Sequence, residues 1–261
     1  MDLGIAGRRA VVTGASSGIG AAVARSLAGE GAEVILVARH AGPATEVRDS
    51  ITAAGGRART VSADVTTSLG VEKIAAAAAD APVDIVVNNV GGSVTKPLLD
   101  VTIDDWQEAL DRNLLSAIRV TSQFLPAMIQ RDWGRIVHVG SIAAREPGHK
   151  AAPYAGAKAA LIAYSKALSA AVARHGITST VVLPGMTDTA ALARRRQALA
   201  SQGITGPAAD KAMMGSRRSA SRTIASADEV AAAIVFLCSQ AASAVNGVAV
   251  PVDNGTVLGT W

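Results

Sequence analysis

Arg9-Ala10-Val11-Val12-Thr13-Gly14-Ala15-Ser16-Ser17-Gly18-Ile19-Gly20 is the stretch that decides the fold. Arg9–Thr13 has the length and β-branched character of a buried strand, and glycines separate it from a helical pattern over Gly18–Gly29. The same alternation recurs along the chain. Further strands are expected at Glu33–Val37, Ala58–Ser62, Val83–Asn88, Arg135–Gly140, Thr178–Leu183 and Gly247–Val252. Helices are expected at Pro43–Ala54, Leu69–Ala79, Asp104 to about Gln130 (in one section or two), Pro153–His175 and Ala227–Cys238.

Short apolar runs joined by crossover helices indicate a parallel sheet covered on both faces, the arrangement that buries every such strand. Right-handed crossovers make it a doubly wound α/β sheet of Rossmann type, here one domain over residues 1–261. Residues 190–225 break the rhythm with Arg194-Arg195-Arg196, Gly203, Gly206-Pro207, Met213-Met214 and Arg217-Arg218. A long irregular insertion after a strand reads as a substrate-binding lid or as a plain surface excursion.

Composition narrows the partners. Apolar residues are 49% of the 261 and aromatics 3%, so the core must be built from Ala, Val, Leu and Ile. The formal charge of +4 comes from 25 basic residues dispersed among 21 acidic ones. Arg194–Arg196 is the sole dense basic cluster, without the longer stripe and interleaved aromatics of a nucleic-acid binder. The lone Cys238 lies in the apolar run Val230–Cys238 and reads as a small core residue. No run approaches the ~18 apolar residues of a membrane span. The expectation is a cytoplasmic protein acting on a small molecule, with no nucleic acid, membrane or metal among its partners.

Gly14, Gly18 and Gly20 lie between strand and helix, where backbone must turn tightly and approach a phosphate closely. The helix start adds free N–H groups and a positive dipole end. Gly14, Ser16, Ser17, Gly18, Ile19 and Gly20 are therefore candidate dinucleotide contacts, although the spacing G-x-x-x-G-x-G alone also suits an ordinary turn. After the second strand, Val37-Ala38-Arg39-His40 lacks the acid that would bind the ribose hydroxyls of NAD. Arg39 can instead pair with a 2′-phosphate, so NADP(H) is expected over NAD(H). Asp64 and Val65, after the third strand, are placed to meet adenine. Asn88-Asn89-Val90-Gly91, after the fourth, is placed to support the cofactor region, with Asn89 and Gly91 as candidate contacts.

Tyr154 and Lys158 stand at i and i+4 on one helix face. A free phenol, with a pKa near ~10, is a poor base at neutral pH, and a neighbouring ammonium favours the phenolate. The pair is thus a candidate general acid in reduction and base in oxidation, with Lys158 lowering the tyrosine pKa. Ser141 follows the fifth strand at its carboxyl edge, where it can bond a substrate oxygen. Asn113, a mediocre helix former within Asp111–Leu115, can bend the helix or hold a water that relays protons to Lys158.

These motifs, in this order, resemble the short-chain dehydrogenase/reductase family over nearly the full length. The resemblance rests on the Thr13–Gly20 loop, Asp64, Asn88–Gly91, Asn113, Ser141, Tyr154, Lys158, Pro184-Gly185-Met186-Thr187-Asp188-Thr189 and Val252-Asp253-Asn254-Gly255. It implies a seven-stranded parallel sheet, a Ser–Tyr–Lys site completed by an Asn, and a homotetramer or homodimer. It also implies that Lys158 holds the nicotinamide ribose, that Thr189 and the Thr187 backbone contact the carboxamide, and that Pro184 and Gly185 line the cofactor. Three positions depart from the pattern: Val90 replaces a small Ala, Gly140 stands where a second Ser is frequent, and Asn254 where Gly is usual. The look is that of 3-oxoacyl-carrier-protein reductases and related ketone reductases. Carrier-docking members show basic residues where this chain has Asp132 and His175, which favours a dedicated ketone or polyol reductase. The expected activity is NADPH-dependent, reversible reduction of a ketone to a secondary alcohol. The alternatives are an NAD-dependent secondary-alcohol dehydrogenase, a 3-oxoacyl-carrier-protein reductase and a non-catalytic NADP-binding redox sensor.

Overall fold

Strand β1 (Arg9–Thr13) is buried along its whole length and pairs in parallel with β2 (Glu33–Ala38) on one side and β4 (Ile85–Asn88) on the other. In this computed structural model, which describes residues 2–93, 95–214 and 224–257, the sheet extends outward from that centre. With β3 (Arg57–Ser62), β5 (Gly134–Val139), β6 (Ile177–Pro184) and β9 (Ala249–Val252) the strand order is 3-2-1-4-5-6-9, all parallel. The seven-stranded doubly wound sheet expected from the sequence is therefore present. Order reverses between β1 and β4, so their carboxyl ends open a crevice where connecting chains diverge to opposite faces.

Each face has its own core. On one, α1 (Gly18–Gly29) and α9 (Ala227–Leu237) lie against Val12, Val34, Leu36 and Val137. Alanines at 21, 22, 24 and 231 keep this layer thin. On the other, Val11, Ile35, Ile136 and Met128 meet residues of α3 (Ser68–Ala77), α5 (Ser116–Gln130) and α6 (Ala152–Val172). Full burial of one such Val, Leu or Ile is worth ~1.5–3 kcal/mol, which explains how a chain poor in aromatics closes its core. Cys238 is fully buried within the first core.

The structure refines several boundaries. α2 begins earlier than its proline, at Ala41–Ala53, and α6 passes into a 3-10 turn at Ala173–His175. The expected helix from Asp104 is one rod with an interruption: α4 (Ile103–Leu110) runs through a π turn at Asp111–Leu115 into α5. The insertion expected to be irregular contains two helices, α7 (Ala190–Ala200) and α8 (Gly206–Met214), anchored beside a two-stranded ribbon of β7 (Thr187–Asp188) and β8 (Ala225–Ser226). Of the expected lid, 215–223, including Arg217 and Arg218, lies outside the described residues. No helix among the described residues is long and apolar enough to cross a membrane.

The departures from the family pattern have local causes. Asn254 has φ +56°, the left-handed region that Asn tolerates better than most residues other than Gly. A Cβ at Gly140 would lie 2.7 Å from both Val181 Cγ1 and Leu183 Cδ2, so the bulk of β6 leaves no room for a serine there. Val90 packs, half-buried, on the second core.

Candidate active site

The glycine turn is shaped by contact. Gly14 and Gly18 have φ of +65° and +54°, and a Cβ on Gly20 would stand 2.3 Å from the Gly14 carbonyl oxygen. Asn89 braces the turn from the end of β4, its Nδ2 donating to the carbonyls of Thr13 (3.0 Å) and Gly14 (3.1 Å). Thr13 Oγ1 in return accepts from the backbone N–H of Asn89 (2.9 Å) and Val90 (3.2 Å). Two strand ends are thereby locked across the crevice.

Ser17 precedes α1 without capping it through its side chain, so the helix presents its first-turn N–H groups to the crevice. These groups border a cleft of ≈ 460 Å³ whose walls include Ser16, Ile19, Arg39, Asp64, Val65, Gly91 and Thr189. The volume lies in the range of small-molecule and cofactor pockets. Uncapped N–H groups, backbone at which no Cβ fits, and arginines at the rim are the donor set an extended dinucleotide requires. The residues therefore fit such a group. Asp64 is held below the usual carboxylate range by bonds from the Thr66 N–H and hydroxyl, and stays ionised.

A neighbouring hollow of ≈ 320 Å³ shares Ile19, Asn89, Gly91 and Thr189 with the cleft. Ser141, Tyr154, Lys158, Pro184, Gly185 and Thr187 are also in its wall. Ser141 sits where β5 ends and caps a 3-10 turn, its Oγ accepting from the Ala143 N–H at 3.1 Å. Its side chain lines the same hollow as Tyr154, whose pKa it draws down. Lys158 is fully buried and its Nζ donates to the Val139 carbonyl at 2.7 Å, 6.0 Å from the centre of the tyrosine ring.

Electrostatics correct one expectation. The ammonium does not make the phenol acidic in the chain by itself: burial raises the Tyr154 pKa, and the neighbouring Ser141 side chain offsets this only in part. Lys158 is the group that moves down, to about 8, because its charge is buried without an acid.

Asn113 occupies the π turn, where the extra residue swings its amide inward. Oδ1 accepts from the Gly92 N–H at 3.0 Å, while Nδ2 donates to the carbonyls of Gly92 (3.1 Å) and Ala109 (3.0 Å). Both amide donors are spent on backbone, so Asn113 acts as a strut that positions the Gly91–Gly92 loop. A Cβ at Gly91 would lie 2.8 Å from Asn113 Oδ1 and 3.0 Å from Lys158 Nζ, which packs the three groups together.

One neighbour of this site carries no sequence signal. His138 is completely buried on β5, with Asn88 Nδ2 at 3.2 Å from its Nδ1 and its pKa pushed down to about 3 by burial and by the Lys158 charge. The Asn amide can only donate, so Nδ1 accepts and the proton sits on Nε2, facing Ser179. The imidazole is a neutral floor beneath the lysine. Among the described residues no cluster of metal-ligating side chains occurs.

A phenol beside a serine and a buried lysine, on the carboxyl edge of a parallel sheet and next to a glycine turn, marks the class: an oxidoreductase acting between carbonyl and alcohol. The family model for short chain dehydrogenases matches residues 8–200, and the chain belongs to that family. It is 33% identical over 254 residues to the 3-oxoacyl-[acyl-carrier-protein] reductase FabG of Salmonella typhimurium, covering 97% of this chain and 98% of that protein. Among solved structures it is similar to L-sorbose reductase from Gluconobacter frateurii, complexed with NADPH and L-sorbose. There the TM-score is 0.93 at 32% identity, over 99% of this chain and 100% of the other. It is also similar to a 3-oxoacyl (acyl-carrier-protein) reductase from Agrobacterium tumefaciens C58 with NADP bound, with TM-score 0.88, 33% identity and coverage of 97% and 95%.

Proposed function

We propose that this chain is an NADPH-dependent reductase that converts a ketone to a secondary alcohol, reversibly. The observation that carries the reading is the convergence of Ser141, Tyr154 and Lys158 on one hollow, continuous in its lining with the dinucleotide cleft. When bound, the nicotinamide supplies hydride to the carbonyl carbon. Ser141 holds the carbonyl oxygen, and Tyr154 donates the proton to it. A raised phenol pKa keeps that proton in place through neutral pH, which suits reduction. Lys158, largely charged below about pH 8, faces the developing phenolate and would hold the nicotinamide ribose. Asn113 keeps the Gly92 loop in register. Thr187 and Thr189 would receive the carboxamide, and the 190–225 segment would cover the substrate.

Preference for NADPH over NADH rests on β2. It ends in Ala38 without an acid, and Arg39 and His40 stand at the cleft rim. Two of the similar structures carry NADPH or NADP, which supports the same choice. The FabG likeness favours a carrier-bound acyl substrate as the second reading. Against it, the positions that are basic in carrier-docking members are here Asp132 and His175, hydrogen-bonded to each other at 2.9 Å. We further propose a homotetramer, supported by the exposed apolar residues Leu98, Leu99, Ile103 and Leu115 beside α4 and α5.

The test is NADPH consumption over a panel of ketones, ketoses and acyl thioesters, with Tyr154→Phe alongside. Turnover should fall ~10²–10⁴-fold while NADPH affinity stays within a small factor. A Tyr154→Phe variant that keeps the wild-type turnover rate refutes the assignment. Arg39→Ala should erase most of the preference for NADPH over NADH; a wild type that binds both equally defeats the cofactor reading.

A further inference from the structure

Two helices begin at the same point of the cleft, and neither is capped by a side chain. Ser17 precedes α1 and Thr189 precedes α7, and a Cβ on Gly18 would lie 3.2 Å from Thr189 Cγ2. The two positive helix ends therefore abut, one from the sheet and one from the insertion. One turn further along α7, Arg194 lines the same cleft as Ser16, Ser17 and Gly18.

The three consecutive arginines of α7 differ in their surroundings. Arg196 is tied to Asp188 at 2.9 Å and to Asp210 at 3.2 Å, which pins α7 to β7 and α8. That anchor sets the rotation of the helix. Arg194 is exposed and has no ion-pair or hydrogen-bond partner among the described residues. A guanidinium at the wall of the cleft, near two uncapped helix starts, has no anion of its own among the described residues.

We infer that Arg194 is a phosphate-binding residue, carried on the insertion, that clamps the pyrophosphate of the dinucleotide against the α1 turn. Binding the cofactor thereby draws α7 onto the cleft. The inference rests on the dinucleotide reading above and assigns it a residue outside the glycine loop. Arg39 and His40 line the stretch of the same cleft beyond β2, the end left to the 2′-phosphate. The two arginines then have separable tasks: Arg39 distinguishes NADPH from NADH, whereas Arg194 grips what both share.

Arg194→Ala, an exposed substitution, is compared with wild type by isothermal titration with NADPH and with NADH. Affinity for both should fall by the same factor, roughly five- to tenfold, as for loss of one solvent-facing charge-assisted bond. Arg194→Lys should fall between the two. Trypsin supplies a second readout, because Arg195 lies beside Arg194 on α7. Saturating NADPH should protect the Arg195 bond in wild type and leave it open in Arg194→Ala. Unchanged affinity and protection, or a loss confined to NADPH, overturns the clamp while wild-type binding leaves the cofactor reading standing. A wild type that binds neither dinucleotide overturns both.

Discussion

Gly20 and Gly29 belong to the same helix, and exchanging each for alanine should move stability in opposite directions. Alanine is the better helix former by up to ~1 kcal/mol, so propensity alone favours both changes. At Gly29 nothing lies within 4 Å of the added Cβ and the site is exposed. Gly29→Ala should therefore stabilise by ~0.4–1 kcal/mol. At Gly20 the Cβ would stand 2.3 Å from the Gly14 oxygen and 2.5 Å from Asn89 Nδ2. Neither neighbour can swing clear, because the oxygen is backbone and the amide is already bonded to Thr13 and Gly14. Displacement costs about 1–3 kcal/mol, and each bond given up another ~0.5–1.5 kcal/mol. After subtracting propensity, Gly20→Ala should lose about 3 kcal/mol, a fall in Tm of roughly 6–12 °C for a chain of this size. Thermal denaturation followed by circular dichroism reads both variants, and dinucleotide titration should show the Gly20 variant alone impaired. Equal shifts of one sign would refute the argument that close approach, and not helix propensity, put glycine at position 20.

Two further outcomes follow from packing and charge. Gly140→Ser, which moves the sequence toward the commoner family pattern, should destabilise by about 1–3 kcal/mol through Val181 and Leu183, and Val181→Ala should recover part of the loss. Unperturbed melting of Gly140→Ser would sink that account. Lys158 titrates near 8 when folded and near 10.5 when free, so between these values the unfolded chain holds more protons and stability rises with pH. Relative to Lys158→Met, wild type should gain up to ~1.4 kcal/mol per pH unit from about pH 8 to pH 10.5 and nothing below. Urea denaturation at stepped pH checks this, and a constant difference between the two proteins contradicts it.

The seven strands of the main sheet were legible because most are short β-branched runs with a turn at the end, whereas the two-residue β7 and β8 carry no such run. The π turn was not. Its one mark is Asn113, an indifferent helix former whose partners, Gly92 and Ala109, lie on a loop from β4 and on the preceding turn. The insertion misled for a different reason. Gly203 and Gly206-Pro207 are strong loop signals, and they lie just after the stretch 191–199, Ala-Leu-Ala-Arg-Arg-Arg-Gln-Ala-Leu, whose residues favour helix individually. No apolar stripe marks that helix, which buries Leu192 and is tied down by Arg196 and its two acids.

The site was half legible for a related reason. Spacing gives Tyr154 and Lys158 one face of α6, and strand ends bring Ser141 to the carboxyl edge, so local geometry delivers the proposed reacting groups. What sets their charge is not local. Lys158 owes its lowered pKa to burial, in the company of His138 on β5, Asn88 on β4 and Ser179 on β6. A neutral imidazole there spares the lysine a second cation at close range, and only the assembled sheet brings these groups together. The sequence pattern thus picks out the groups proposed to move a proton, while the direction of each pKa shift belongs to the fold. That division explains why the phenol, expected to be acidic from its neighbour, is instead held protonated by its burial.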